Sequence, residues 1–125
     1  MKVLLDANVL IRWMAGSALP RGIERLIGRS SGEIFISIVT GWEIVMKPRL
    51  EISADDVEEA TTKLGGLMLP IKFKHLKALA GLPQHEDHKD PFDRMLIAQA
   101  VAEELPVVTS DTRFSKYPRV RVIWD

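Results

Sequence analysis

The chain has 125 residues, enough for one domain with a sizeable core and without room for a second, so 1–125 is read as a single unit. Its 46% hydrophobic and 27% charged residues exclude a disordered chain, and 17 basic against 17 acidic residues leave no bulk positive charge to announce a nucleic-acid footprint. There is no cysteine, which excludes disulfides, thiolate zinc sites and cysteine nucleophiles; any metal must be held by oxygen or imidazole.

From the N-terminus, "KVLL" at 2–5 is a short apolar run of the buried parallel-strand kind, and "DANVLIRWMAG" follows with Val9, Leu10, Trp13 and Met14 at helical spacing before a glycine stop. The acid at position 6 arrives too early for a signal-peptide core, and no run of about 18 apolar residues exists to span a bilayer, so the expected location is cytoplasmic, with no membrane partner. Pro20 opens a second helix, "LPRGIERLIGR". "EIFIS" at 33–37 reads as a second strand feeding the helical "IVTGWEIVMK", which Pro48 ends. "SADDVEEATTKLGG" has a Ser53 cap, first-turn acids and a Gly-Gly end, the marks of a helix; its acids are explained by that position. "LMLPI" is a short strand and "KFKHLKALAGL" a helix. "HEDHKDP" is expected to be a polar surface loop carrying His85 and His88, whose i, i+3 spacing gives imidazole ligands as the alternative reading, and "PFDRMLIAQA" begins the next helix. "LPVVTSD" at 105–111 is a buried strand ending in an acid, and "RVRVIW" at 119–124 alternates as an edge strand does. Trp13, Trp42 and Trp124 read as core or interface packing.

Alternating strands and helices predict an α/β fold, a central mostly parallel sheet flanked by helices in three layers. Ligands of such sheets bind beyond the carboxyl ends of the strands. Asp6 follows the first strand and Asp111 follows "VVTS"; Glu43 lies in the helix after the second strand. Asp93 precedes Leu96, Ile97, Ala100 and Val101 by three, four, seven and eight residues, so it heads the buried stripe of its helix. A carboxylate facing a core must be paired, hydrogen-bonded or bound to metal. Four carboxylates meeting at one sheet edge would repel by roughly 3 kcal/mol per pair at about 5 Å, and a hard cation, Mg²⁺ or Mn²⁺, relieves that. Each acid also has a structural reading. Asp6 can cap the first helix, Asp111 can start a turn, Glu43 can be a partly solvated helix residue, and Asp90, just before Pro91, is a natural N-cap.

"LLDANVLIRW", "SIVTGWEIVMK", "HKDPFDRMLIAQA" and "LPVVTSD", in that order and over almost the entire chain, resemble PIN-domain ribonucleases, specifically the VapC-like toxins of toxin–antitoxin pairs. Asn8 stands where close relatives often carry histidine, and "KPRLEI" is compressed where they have a glycine-containing turn. The resemblance implies a PIN-like three-layer sandwich and an Mg²⁺- or Mn²⁺-dependent ribonuclease, with RNA as substrate, an antitoxin protein as partner and a homodimer as assembly. It places the catalytic, metal-binding acids on Asp6, Glu43, Asp93 and Asp111. Asp90, Ser110 and Thr109 are accessory candidates, and Arg12, Lys47, Lys89 and Arg94 are candidate phosphate contacts, each with a solvated-surface role as the alternative. Two other functions stay open on the sequence. One is a catalytically silent module of the same fold. The other is an aspartate-nucleophile phosphohydrolase using Asp6, against which Asn8 stands where a second aspartate is needed.

Overall fold

The structure, a computed structural model, describes residues 1–29 and 33–125. Five strands, β1 (Val3–Leu5), β2 (Ile34–Ser37), β3 (Leu67–Leu69), β4 (Val107–Val108) and β5 (Val122–Ile123), form one sheet in the order β3-β2-β1-β4-β5. Every pairing is parallel, which sharpens the expected "mostly parallel" sheet. The helices are α1 (Ala7–Met14), α2 (Arg21–Gly28), α3 (Ile38–Val45), α4 (Ala54–Lys63), α5 (Phe73–Ala80) and α6 (Pro91–Glu103). Two short 3-10 turns, Pro48–Leu50 and Thr112–Lys116, complete the described elements.

The strands are shorter than their apolar runs. "LPVVTSD" contributes only Val107 and Val108 to the ladder and "RVRVIW" only Val122 and Ile123, which does lie at an edge, paired with β4. The run marks burial, and only the residues in register with a neighbour join the sheet: Leu4 opposes Val107 and Leu5 opposes Val108.

Side-chain alternation along β1 divides the core between the two faces of the sheet. Val3 and Leu5 pack with Val9, Leu10, Ile23, Ile44 and Val57 from α1–α4. Leu4 packs the other way, with Leu96, Ile97, Ala100 and Val101 of α6 and with Phe114 and Tyr117. The stripe read from Asp93 is therefore real: all four of its apolar members are buried. Pro91 sits at the first position of α6, and Asp90 caps it by accepting the N–H groups of Phe92 (2.8 Å) and Asp93 (3.0 Å). Ser53 and Asp56 form a reciprocal capping box at α4.

The chain runs from β1 outward through β2 to β3, then returns to the other side of β1 as β4. The topological switch point thus lies between β1 and β4, and Asp6 and Thr109–Asp111 are the residues just past those strands, at the carboxyl edge where such sheets bind ligands. Among the described residues, no helix is long and apolar enough to cross a membrane.

Candidate metal centre

Asp6 leaves β1 with its backbone N–H still bonded to the Val108 carbonyl (3.0 Å), so the ladder with β4 fixes its position. It is buried. Its Oδ1 accepts from Ala7 N (2.8 Å), making it the cap of α1, and its Oδ2 accepts from the Thr109 hydroxyl (2.7 Å). Burial raises its pKa to about 6; the Thr109 bond opposes this, while the negative charges of Asp93 and Glu43 add to it.

Asp93 occupies the third position of α6 with its side chain only 15% exposed. Burial, then repulsion from Asp90, Glu43 and Asp111, pushes its pKa up to about 7. Asp111 follows β4 and caps the Thr112–Lys116 turn. The Arg113 guanidinium clasps both its oxygens, Nε to Oδ1 at 3.1 Å and Nη2 to Oδ2 at 2.9 Å, and holds its pKa below the usual carboxylate range. Glu43, on α3, pairs with Lys47 one turn on (2.9 Å) and is half-buried.

The four acids thus converge on one end of the sheet closely enough to repel one another, but they are not equivalent. The tightest group is His88, Asp93 and Asp111, each offering a ligand atom within 4.8 Å of the others. Asp6 and Glu43 lie outside it, with Asp6 held by Ala7 and Thr109 and Glu43 by Lys47. Two carboxylates at such a separation repel by roughly 3 kcal/mol at an effective dielectric of about 20. Burial, with neighbouring negative charge adding to it, raises the pKa of both Asp6 and Asp93, and oxygen donors of this kind suit Mg²⁺ or Mn²⁺. The residues fit a hard divalent cation.

The accessory candidates separate clearly. Thr109 is buried and joins two of the acids, donating to Asp6 and accepting the Asp111 N–H at 3.0 Å. Ser110 points to solvent and makes no such bond. Asp90 works as the helix cap and also as the strongest charge acting on Asp93. Of the cationic candidates, Lys47 is beside the cluster on Glu43 and Lys89 is exposed and paired with Glu86. Arg12 bonds the Ala18 carbonyl and stacks on Trp124, and Arg94 bonds the Pro83 carbonyl and the Tyr117 hydroxyl, so both guanidinium groups serve the fold.

The polar-loop reading of "HEDHKDP" needs correction at His88. Its side chain is fully buried, with Nδ1 2.9 Å from the Tyr117 hydroxyl, Nε2 3.2 Å from Asp93 Oδ2, and its ring against Phe114. Burial holds its pKa below the usual imidazole range. Flanking charges made the segment look solvated, yet the chain turns inward just before the cap of α6. The usable signal was the histidine of the "HKDPFD" string itself. His85 packs edge-on against Tyr117 without reaching the acids. Arg113 was also missed, although its place two residues after Asp111 lets one side chain fold back on the other.

The family model described as PIN domain matches residues 3–120. No curated protein matches. Among solved structures, the chain is similar to VapBC2 from Rickettsia felis bound to a promoter DNA fragment (16% identity, all of both chains, TM-score 0.70). It is also similar to a toxin–antitoxin complex from Klebsiella pneumoniae (21% identity, 98% of this chain and 96% of that one, TM-score 0.69). DNA-bound VapBC from Salmonella typhimurium aligns at 19% identity over 98% and 97% of the chains with a TM-score of 0.72. At these identities the likeness is one of fold.

Proposed function

The chain belongs to the PIN domain family, and from that premise we propose that it is the toxin of a VapBC-type toxin–antitoxin pair, an endoribonuclease that hydrolyses RNA with Mg²⁺ or Mn²⁺ held by Asp6, Glu43, Asp93 and Asp111. The observation that carries this reading is the meeting of these carboxylates from separate elements, where burial first and then the negative charges of Asp90, Glu43 and Asp111 raise the pKa of Asp93 to about 7 at the head of the apolar, buried stripe Leu96, Ile97, Ala100 and Val101. A divalent cation held by these carboxylates would offset their repulsion and would supply water activation and charge stabilisation at a scissile phosphate.

The residues divide the remaining work. Asp93 comes from the first turn of α6, Asp111 from the loop after β4 and Asp6 from the end of β1, so three separate elements would supply the ligand oxygens. Glu43, on a helix rather than at a strand end, is placed to hold the cation or to orient the attacking water. Thr109 holds Asp6 in place and, by donating to it, favours its ionised form against the effect of burial. Lys47 and Arg113 are the cations that already pair with these acids, and release from them would leave both groups free for phosphate oxygens. Asp6 is poorly suited to be a covalent nucleophile, because it is buried and both its oxygens accept hydrogen bonds.

An antitoxin segment laid over the crevice would match it with a basic side chain, and arginine suits a pair of carboxylates. A second copy of the chain would cover the apolar side chains left exposed on α3, β3 and α5, Trp42, Met68 and Phe73 among them. The deciding experiment is cleavage of a structured RNA by the purified protein in Mn²⁺, in EDTA, and after Asp93→Asn. Activity that survives EDTA, or that survives the substitution, defeats the proposal.

A further inference from the structure

The buried chain of hydrogen bonds behind Asp93 has a direction, and the direction can be read from its far end. Arg94 Nη1 can only donate, and it donates to the Tyr117 hydroxyl at 3.1 Å. That oxygen therefore acts as an acceptor toward Arg94 and has its own hydrogen to give. The neighbour placed to receive it is His88 Nδ1, at 2.9 Å. A neutral imidazole that accepts at Nδ1 carries its proton on Nε2, and Nε2 faces Asp93 Oδ2 at 3.2 Å. The reverse assignment, with Nδ1–H donating to Tyr117, would give the tyrosine oxygen two incoming donors and leave its own buried hydrogen without an acceptor, at a cost of about 1–3 kcal/mol. Tyr117 and His88 are each no more than 1% exposed, so water does not offer that acceptor.

We propose that Arg94, Tyr117 and His88 form a one-way relay that fixes His88 as the Nε2-protonated tautomer, so that His88 is a positioning residue for Asp93 and not itself a metal ligand. The inference rests on the reading that Asp93 binds the cation. Its content is a division of labour within the group of His88, Asp93 and Asp111, whose ligand atoms alone would admit all three to the metal. With the proton on Nε2, His88 has no lone pair to give. It instead secures Oδ2 of Asp93, and Oδ1, which makes no hydrogen bond among the described residues, is the oxygen left for the cation. Orientation of a ligating carboxylate by an outer hydrogen bond is worth about 10–100-fold in metal affinity.

The test pairs the tautomer with metal affinity, neither of which requires turnover. In a long-range ¹H–¹⁵N spectrum of the metal-free protein, His88 is expected to show the Nε2–H pattern, its signals identified by their loss in His88→Gln. Calorimetric titration with Mn²⁺ should show affinity falling about tenfold or more in His88→Ala. His88→Gln, whose amide can donate from nearly the position of Nε2, should recover most of that loss. Tyr117→Phe, which keeps the packing, should mix the tautomers and weaken Mn²⁺ binding. An Nδ1–H tautomer in the unsubstituted protein overturns the relay. If His88→Gln binds Mn²⁺ as poorly as His88→Ala, His88 is a ligand and the division of labour is wrong. Unchanged affinity in a folded His88→Ala overturns this inference alone, whereas no Mn²⁺ binding by the unsubstituted protein overturns it together with the nuclease reading.

Discussion

The Thr109 hydroxyl donates to Asp6 Oδ2 at 2.7 Å across 103 residues of sequence, and Thr109 Oγ1 in turn accepts the Asp111 N–H at 3.0 Å. One side chain at the end of β4 therefore holds together acids that belong to two strands. Thr109→Val keeps the shape and deletes the hydroxyl, leaving Asp6 without its main stabilising bond and a backbone N–H without a partner. We expect a loss of about 1–3 kcal/mol in chemical denaturation and a further rise in the pKa of Asp6. Thr109→Ser should restore both. Equal stability of the Val and Ser variants would show that the link carries no energy.

The raised pKa values fix the sign of a pH effect. Asp6 and Asp93 titrate near 6 and near 7 in the folded protein, above the ordinary 3.8, so between those limits the native state binds more protons than the unfolded chain. Stability is then greatest near and below pH 4 as far as these two groups are concerned, and is lost as pH rises through 6 and 7. His88, with its pKa lowered, works in the opposite sense near its ordinary 6.5, and Asp111 loses its contribution only in acid. Subtracting the profile of Asp93→Asn isolates Asp93. Without metal, the variant should be the more stable protein at pH 8 and the advantage should vanish by pH 5. Saturating Mn²⁺ should reverse the order at pH 8, adding about 2.7 kcal/mol to the unsubstituted protein at a hundredfold excess over Kd and little to the variant. Denaturation curves at three pH values, with and without Mn²⁺, are sufficient to see it.

Much of this arrangement was legible in the sequence, and the reasons differ by residue. Strand–acid–helix order was enough to place Asp6 and Asp111, because a parallel sheet sends its loops to one edge and the two strands turned out to be neighbours at the switch point. Asp93 was legible from periodicity alone, as the one charge on a buried stripe. Thr109 could be named but its role could not, since a hydroxyl linking two acids requires the register of β1 on β4. His88 was misread because local polarity says nothing about a loop that folds back on the sheet, and its partner Tyr117 lies 29 residues away. The buried network of Ser37, Gln99, His75 and Glu103, which ties α6 to β2 and α5, was invisible for the same reason: each member looks like an ordinary surface residue until the helices pack.

Asp90 is expected to be separable from Asp93 by two substitutions. It caps α6 through two backbone N–H groups and is also the largest charge raising the pKa of Asp93. Asp90→Ala removes both roles and should cost about 1 kcal/mol of stability. Asp90→Asn keeps the cap and removes the charge, so stability should hold while the pKa of Asp93 falls, which NMR titration of the carboxyl can follow. If Asp90→Asn abolishes RNA cleavage with the fold intact, Asp90 belongs with the reacting groups and capping is the lesser part of its work.

The exposed apolar face offers the last prediction. Phe73 at the start of α5 is 80% exposed, Met46 just after α3 is 62% exposed, and Trp42 and Met68 are both 54% exposed. Single exposed apolar side chains are ordinary on a monomer, but a set spread over α3, the edge strand β3 and α5 is where we propose that a second copy associates. Trp42 also stacks edge-on against Phe92, with ring centres 4.9 Å apart, and Phe92 adjoins Asp93, so covering this face bears on the head of α6. Phe73→Glu should convert a dimer to a monomer in light scattering at micromolar concentration without loss of monomer stability, because the side chain has little to lose on the isolated chain. Trp42→Ala should weaken the dimer and also lower RNA cleavage, through Phe92, whereas Phe73→Glu should affect cleavage only as far as it separates the subunits. A monomer at high micromolar concentration in the unsubstituted protein removes the dimer from the proposal and leaves the face to the antitoxin.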